Sequence, residues 1–267
     1  MAALLFGYEI ESDYPLARTR SGTAAHGCLK LRASTESILD RHVELIAWAE
    51  RDDAQFALAS CAHGIIAWCS GTGSYLIDGS RARISAEPAG LQSSWEHRIG
   101  ATIVPLLLSE AGELSLHAAA IEHDGRAVLF CGPSGRGKST LSAALALRGH
   151  RVLTDDGVVV SACGRRPTVW PGQAGIRVQP EAVDALRGEP RRNGDGSKDV
   201  AFLADSLEEP AGPLPVGAVV LLGPRVAAAT PAERIEPAAA LAAVMPHVLY
   251  AGRSRLPRRP GACCPAR

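Results

Sequence analysis

Residues 132–140 read Gly132-Pro133-Ser134-Gly135-Arg136-Gly137-Lys138-Ser139-Thr140, between an apolar run that ends at Cys131 and a helix-forming run that continues to Arg148. Gly132, Gly137, Lys138 and Ser139 satisfy the phosphate-loop pattern Gly-x-x-x-x-Gly-Lys-Ser. Glycines let backbone amides turn inward around phosphate oxygens, and the helix that follows offers unpaired N–H groups at its positive end. The lysine adds a mobile charge, and the Ser139 hydroxyl is suited to hold Mg²⁺. All nine residues are therefore expected to line a site for a nucleoside triphosphate, taken to be ATP. Lysine occurs at only three positions, 30, 138 and 198, among 28 basic residues. Its presence here, in a chain that otherwise uses arginine, strengthens the reading because the two cations are not interchangeable at such a site.

Working outward, the two apolar runs between Leu114 and Cys131 flank His123-Asp124-Gly125-Arg126, and Asp-Gly predicts a tight hairpin. Ser139 to Arg148 is expected to be a helix with Gly149 as its cap, followed by a buried strand from Arg151 to Asp155 and another from Val158 to Ala162. A strand over Val216 to Leu222 and a helix around Ala238 to Tyr250 complete this part. Residues 4–90 carry short apolar or alternating stretches broken by Gly-Thr-Gly, Asp-Gly and Gly-Ser, which reads as a β-rich module with a helical stretch near 36–50. Glu96 to Leu108 has helical periodicity with a kink expected at Pro105. The resulting division is a β-rich N-terminal module over 1–95, a P-loop domain over 96–252 and a basic, proline-rich tail over 253–267 expected to be disordered.

Composition narrows the function classes. Acidic and basic residues balance at 28 each, so no global field draws the chain to nucleic acid or an anionic membrane. No run approaches the roughly 18 apolar residues of a membrane span. The N-terminus lacks a basic region and meets Glu9 too early for a signal peptide. Cysteines at 28, 61, 69, 131, 163, 263 and 264 form no metal-type pairs and fit reduced thiols in cytoplasm.

Phosphoryl transfer needs a group that orients or deprotonates the attacking oxygen, and carboxylates that help hold metal. Asp155 and Asp156 end the strand after the P-loop helix, where an open α/β sheet places its ligands, and they can divide those tasks. His117 lies in the first hairpin strand and is expected to orient one of them. Arg177, Arg191, Arg192 and Lys198 are candidate phosphate or substrate contacts.

Leu116-His117-Ala-Ala-Ala, the Asp-Gly hairpin, the loop 132–140 and Leu153-Thr-Asp-Asp together resemble the HPr serine kinase/phosphorylase superfamily. The separations match as well, with the histidine 21 residues before the lysine and the aspartates 16 and 17 after Ser139. The resemblance implies an α/β fold related to phosphoenolpyruvate carboxykinase, with antiparallel and parallel strands in one mixed sheet around the P-loop. It also implies Asp156 as base on a serine hydroxyl, Asp155 as an acidic neighbour pairing with His117, and Lys138 with Ser139 on phosphates and Mg²⁺. Asp155 joins Ser139 as a candidate metal ligand. The match covers roughly residues 112–162, and the Glu-Ile-Arg-Gly signature of the bifunctional enzymes has no counterpart around 170–180.

The opening Phe6-Gly-Tyr-Glu-Ile-Glu-Ser-Asp-Tyr-Pro-Leu and the later Ile176-Arg177-Val178 resemble the HPr-kinase-like proteins encoded with lasso peptide biosynthesis enzymes. That resemblance implies a serine kinase acting on the C-terminal serine of a precursor peptide, with the N-terminal module as a peptide-binding unit and homo-oligomerisation left open. The alternatives are a P-loop ATPase and a nucleotide-dependent peptide-binding or regulatory protein. Neither an Asn-Lys-x-Asp guanine motif nor an apolar strand ending in Asp-Glu occurs.

Overall fold

Asp124 and Gly125 both adopt positive φ, 50° and 67°, and close the hairpin between His123 and Arg126 as Asp-Gly predicts. In the computed structural model, residues 2–51, 54–162, 166–178, 182, 186, 200–201, 212–224 and 231–249 are described. Arg191, Arg192, Lys198 and the tail 253–267 lie outside them. The chain divides into two compact units, with the break between Leu114 and Ser115.

The first unit contains strands β1 (Ala2–Leu5), β2 (Tyr8–Ser12), β3 (Arg20–Gly22), β4 (Cys28–Ala33) and β5 (Glu44–Arg51). They are followed by β6 (Ala54–Cys61), β7 (Gly64–Cys69), β8 (Gly73–Asp78) and β9 (Arg83–Pro88). Among the described residues these form one sheet in the order β3-β1-β2-β4-β9-β8-β7-β6-β5. The pairs β2–β4 and β4–β9 are parallel within an otherwise antiparallel arrangement. No helix forms over 36–50: the second half of that stretch is β5, paired antiparallel with β6, and Trp48 of β5 stacks on Trp68 of β7 at 6.0 Å. Cross-strand pairing outweighs a helical pattern too short to stand without packing.

Helix α1 (Gln92–Arg98), a π-turn over Ile99–Ile103 and helix α2 (Val104–Glu110) form one continuous helical stretch. The kink expected at Pro105 is absorbed because Pro105 falls in the first turn of α2, where the wider π-turn accommodates a residue without an N–H. Trp95 packs edge-on against Tyr14, and Glu96 Oε1 accepts from the Arg18 amide at 2.6 Å. Ile99, Ile103, Leu106 and Leu107 are also buried. These contacts bind the helices to the first unit, so the boundary expected at 95/96 moves to 114/115.

The second unit is built on β10 (Leu114–Leu116), β11 (Ala118–His123), β12 (Arg126–Cys131), β13 (Val152–Thr154), β14 (Val158–Ser161), β15 (Thr168–Val169) and β18 (Leu214–Leu221). Their order among the described residues is β10-β14-β15-β18-β12-β11-β13, a mixed sheet in which β12 and β18 run parallel and β11 is antiparallel to both neighbours. A two-stranded pairing of β16 (Ile176–Arg177) with β17 (Val200–Ala201) stands beside it. Alternation along the strands gives the sheet two apolar faces. Ala118, Ala120, Leu129, Leu153 and Val158 pack on one face; Ile121, Phe130 and Val152 pack on the other against Ala143 and Ala146 of α3 (Lys138–Ala146). No helix among the described residues is long and apolar enough to cross a membrane.

Candidate functional site

Strand β12 delivers the chain into the loop, and the Leu222 amide donating to the Cys131 carbonyl at 2.8 Å carries the parallel pairing to the strand's last residue. A Cβ on Gly132 would lie 3.2 Å from both Cβ and O of Leu222, so the backbone passes too close to β18 for a side chain to sit comfortably. Gly135 and Gly137 have φ of 77° and 92° with open space around them, so there the requirement is conformational. Gly137 is also the N-cap of α3 and has no side chain with which to bond the first helical amides. Pro133, Ser134, Gly135 and Arg136 form the exposed tip, while Ser139 and Thr140 are half-buried in the first turn.

Lys138 is only 5% exposed. Its ammonium donates to the Gly132 carbonyl at 2.8 Å and the Pro133 carbonyl at 3.3 Å, and lies 3.0 Å from His117 Nε2. An ammonium can only donate, so Nε2 is the acceptor and the His117 proton resides on Nδ1. That N–H then donates to the Asp156 carbonyl at 3.2 Å. One neutral histidine thus joins the loop lysine to the backbone of the aspartate turn.

The turn itself follows β13. The Thr154 hydroxyl donates to the Gly157 carbonyl at 2.8 Å, and the Gly157 amide to the Asp155 carbonyl at 2.9 Å. Asp156 has φ of 66°, a left-handed conformation that aspartate tolerates better than most residues. The reversal sends the Asp155 side chain inward. Its Oδ1 accepts from the Ser139 hydroxyl and its Oδ2 from the Arg177 amide, both at 3.0 Å. Burial pushes the Asp155 carboxyl up to about 7, with the Asp156 charge adding to it, while the Arg177 amide, the Ser139 hydroxyl and Lys138 pull it back. Asp156 remains half-buried.

His117, Lys138, Ser139, Asp155 and Asp156 are therefore brought together at one end of the second unit's sheet. The pairing differs from the one the resemblance implies: Asp155 bonds Ser139 and Arg177, and His117 reaches the Asp156 carbonyl. The reason is the turn, which points the first aspartate at α3 and the second residue's backbone at β11. Arg177 meets Asp155 through its backbone amide. Two further positions were not singled out as site residues. Thr154 closes the turn through its side chain, and His247 accepts from the His117 amide at 2.7 Å through its carbonyl. The Cys131 thiol beneath the loop is pushed up to about 11 by burial, which keeps it protonated and inert.

For magnesium, the Ser139 hydroxyl and Asp155 carboxylate are hard oxygen donors 3.0 Å apart, a chemistry that suits the ion.

No family model matches the chain. It is 34% identical over 84 residues to an HPr kinase/phosphorylase of Clostridium beijerinckii, a stretch that covers 30% of this chain and 28% of that protein. Among solved structures, the HPr(Ser) kinase/phosphatase from Coxiella burnetii aligns over 40% of this chain and 58% of its own, at 21% identity and a TM-score of 0.28. The chain thus has distant sequence similarity to HPr kinase/phosphorylase over a minority of either length.

Proposed function

We propose that this chain is an ATP-dependent serine kinase of the HPr-kinase-like type, which transfers the γ-phosphoryl group to a serine hydroxyl of a peptide. The observation that carries the reading is the convergence of a buried loop lysine, a helix-start serine and two adjacent aspartates, joined by His117. The local similarity to HPr kinase/phosphorylase supports the same reaction class.

In this mechanism the loop amides and Lys138 hold the β- and γ-phosphates, and Ser139 with Asp155 would hold Mg²⁺. The ion, when bound, neutralises charge on the phosphate oxygens. Asp156 takes the proton from the serine hydroxyl as that oxygen bonds to the γ-phosphorus, while the bond to the β-phosphate oxygen breaks and ADP leaves. His117 orients the aspartate turn through the Asp156 carbonyl. The β-rich N-terminal unit is proposed to bind the peptide, and the substrate is proposed to be the C-terminal serine of a lasso precursor peptide, on the resemblance of the chain's opening residues.

Incubation with γ-labelled ATP, Mg²⁺ and serine-ended candidate peptides tests this directly. Label on the peptide is the expected result. Release of free phosphate alone in the presence of every peptide would make the protein an ATPase and overturn the kinase reading.

A further inference from the structure

Strand β10 has a neighbour from the far end of the described chain. After a helix over Pro237–Val244 and a 3-10 turn over Met245–His247, the chain runs antiparallel to β10, with Val248 opposite Leu116. The Leu249 amide donates to the Ser115 carbonyl at 2.9 Å, and the His117 amide to the His247 carbonyl at 2.7 Å. These two bonds bracket the Leu116–Val248 pair, which sets His247 directly across from His117. His247 closes the 3-10 turn, so its place beside His117 is fixed by that backbone bond.

His117 contacts the Lys138 ammonium at 3.0 Å. The same ammonium acts on the half-buried His247, whose imidazole is held below the ordinary histidine value by burial first and by Lys138 second. A ring kept neutral beside a lysine adds no charge to the site. It can offer a directional N–H donor without repelling the cation already there. Lysine in this loop reaches the β- and γ-phosphates, and the carboxylate proposed to receive the serine proton belongs to the turn bonded to His117. Both histidines therefore lie beside the lysine proposed to hold the terminal phosphate.

We propose that His247 is a phosphate contact of this site, donating a ring N–H to a non-bridging oxygen of the γ-phosphoryl group. The proposal rests on the nucleotide-binding reading above. Its consequence is discrimination: His247 favours ATP over ADP, because only ATP supplies the oxygen it contacts.

Calorimetric titration of wild type, His247→Ala and His247→Gln with ATP and with ADP, each with Mg²⁺, tests the assignment. One lost hydrogen bond to an anionic phosphate oxygen corresponds to roughly a tenfold loss or more. His247→Ala is expected to lose that factor in ATP affinity with ADP affinity unchanged, and His247→Gln, which retains an N–H donor, to recover most of it. An unchanged ATP-to-ADP ratio in His247→Ala, or an equal loss for both nucleotides, overturns the contact while leaving the nucleotide site intact. Failure of wild type to bind either nucleotide overturns the nucleotide reading and this contact together. The paired backbone bond uses the His247 carbonyl, which substitution preserves. Should the variants still fail to fold, the His247 ring resonances of wild type decide: they are expected to shift with ATP and not with ADP, and equal shifts reject the proposal.

Discussion

Lys138 and Asp155 are both charged-type side chains removed from water, at 5% and 3% exposure, and each is held by named partners. Removing the ammonium with Lys138→Ala leaves the Gly132 and Pro133 carbonyls and His117 Nε2 without their shared donor. Nucleotide affinity and turnover are expected to fall together, by tenfold or more if the lost bond is charge-assisted, as titration and rate measurements would reveal. Asp155 makes a separate pH prediction. Its folded value of about 7 exceeds the ordinary aspartate value of 3.8, so between these limits the folded state binds more protons than the unfolded one. This contribution to stability is full below about pH 4 and is lost as the pH rises through about 7. Melting temperatures of the ligand-free protein should therefore carry a component that falls over that window and vanishes in Asp155→Asn. An identical pH profile in both proteins would remove the assignment. That these residues come together was legible from the sequence: Gly-Lys-Ser, the histidine before it and the paired acids after it. Which atoms meet was not, because the partner of His117 depends on the left-handed turn at Asp156, and the partner of Asp155 on an amide from β16.

Between the last residue of β12 and the first turn of α3, backbone geometry governs. Gly137→Ala places a side chain at φ of 92° in open space, so the cost is conformational, about 1–2 kcal/mol. Chemical denaturation should register that loss without a change in the overall fold. Leu153, fully buried in one core cluster with Leu129 and Val158, holds the strand that leads into the aspartates. Leu153→Ala should cost about 2–5 kcal/mol, and a loss well under 1 kcal/mol would show that this face is not the packed core. Elements whose signals are local were readable: the Asp-Gly hairpin, α3 with Gly149 after it, and the alternating strands. Elements decided by distant partners were not. Residues 44–51 pair with β6 instead of coiling, and a π-turn ahead of Pro105 keeps the α1–α2 stretch continuous.

At the scale of the molecule, two mixed sheets divide the chain, the second carrying all the described site residues and the first carrying the helices around Trp95. The boundary expected at 95/96 separates Trp95 from Ile99 and Leu106, whereas all three are buried within the first unit, which runs to Leu114. The central claim is that Asp156 receives the proton of an incoming serine hydroxyl opposite a lysine-held phosphate. Single-turnover transfer from γ-labelled ATP to a serine-ended precursor peptide, compared between wild type and Asp156→Asn at matched nucleotide occupancy, tests it most directly. ATP affinity is expected to be unchanged and the transfer rate lower by roughly 10²-fold or more in the variant; equal transfer rates in the two proteins would remove Asp156 as the base.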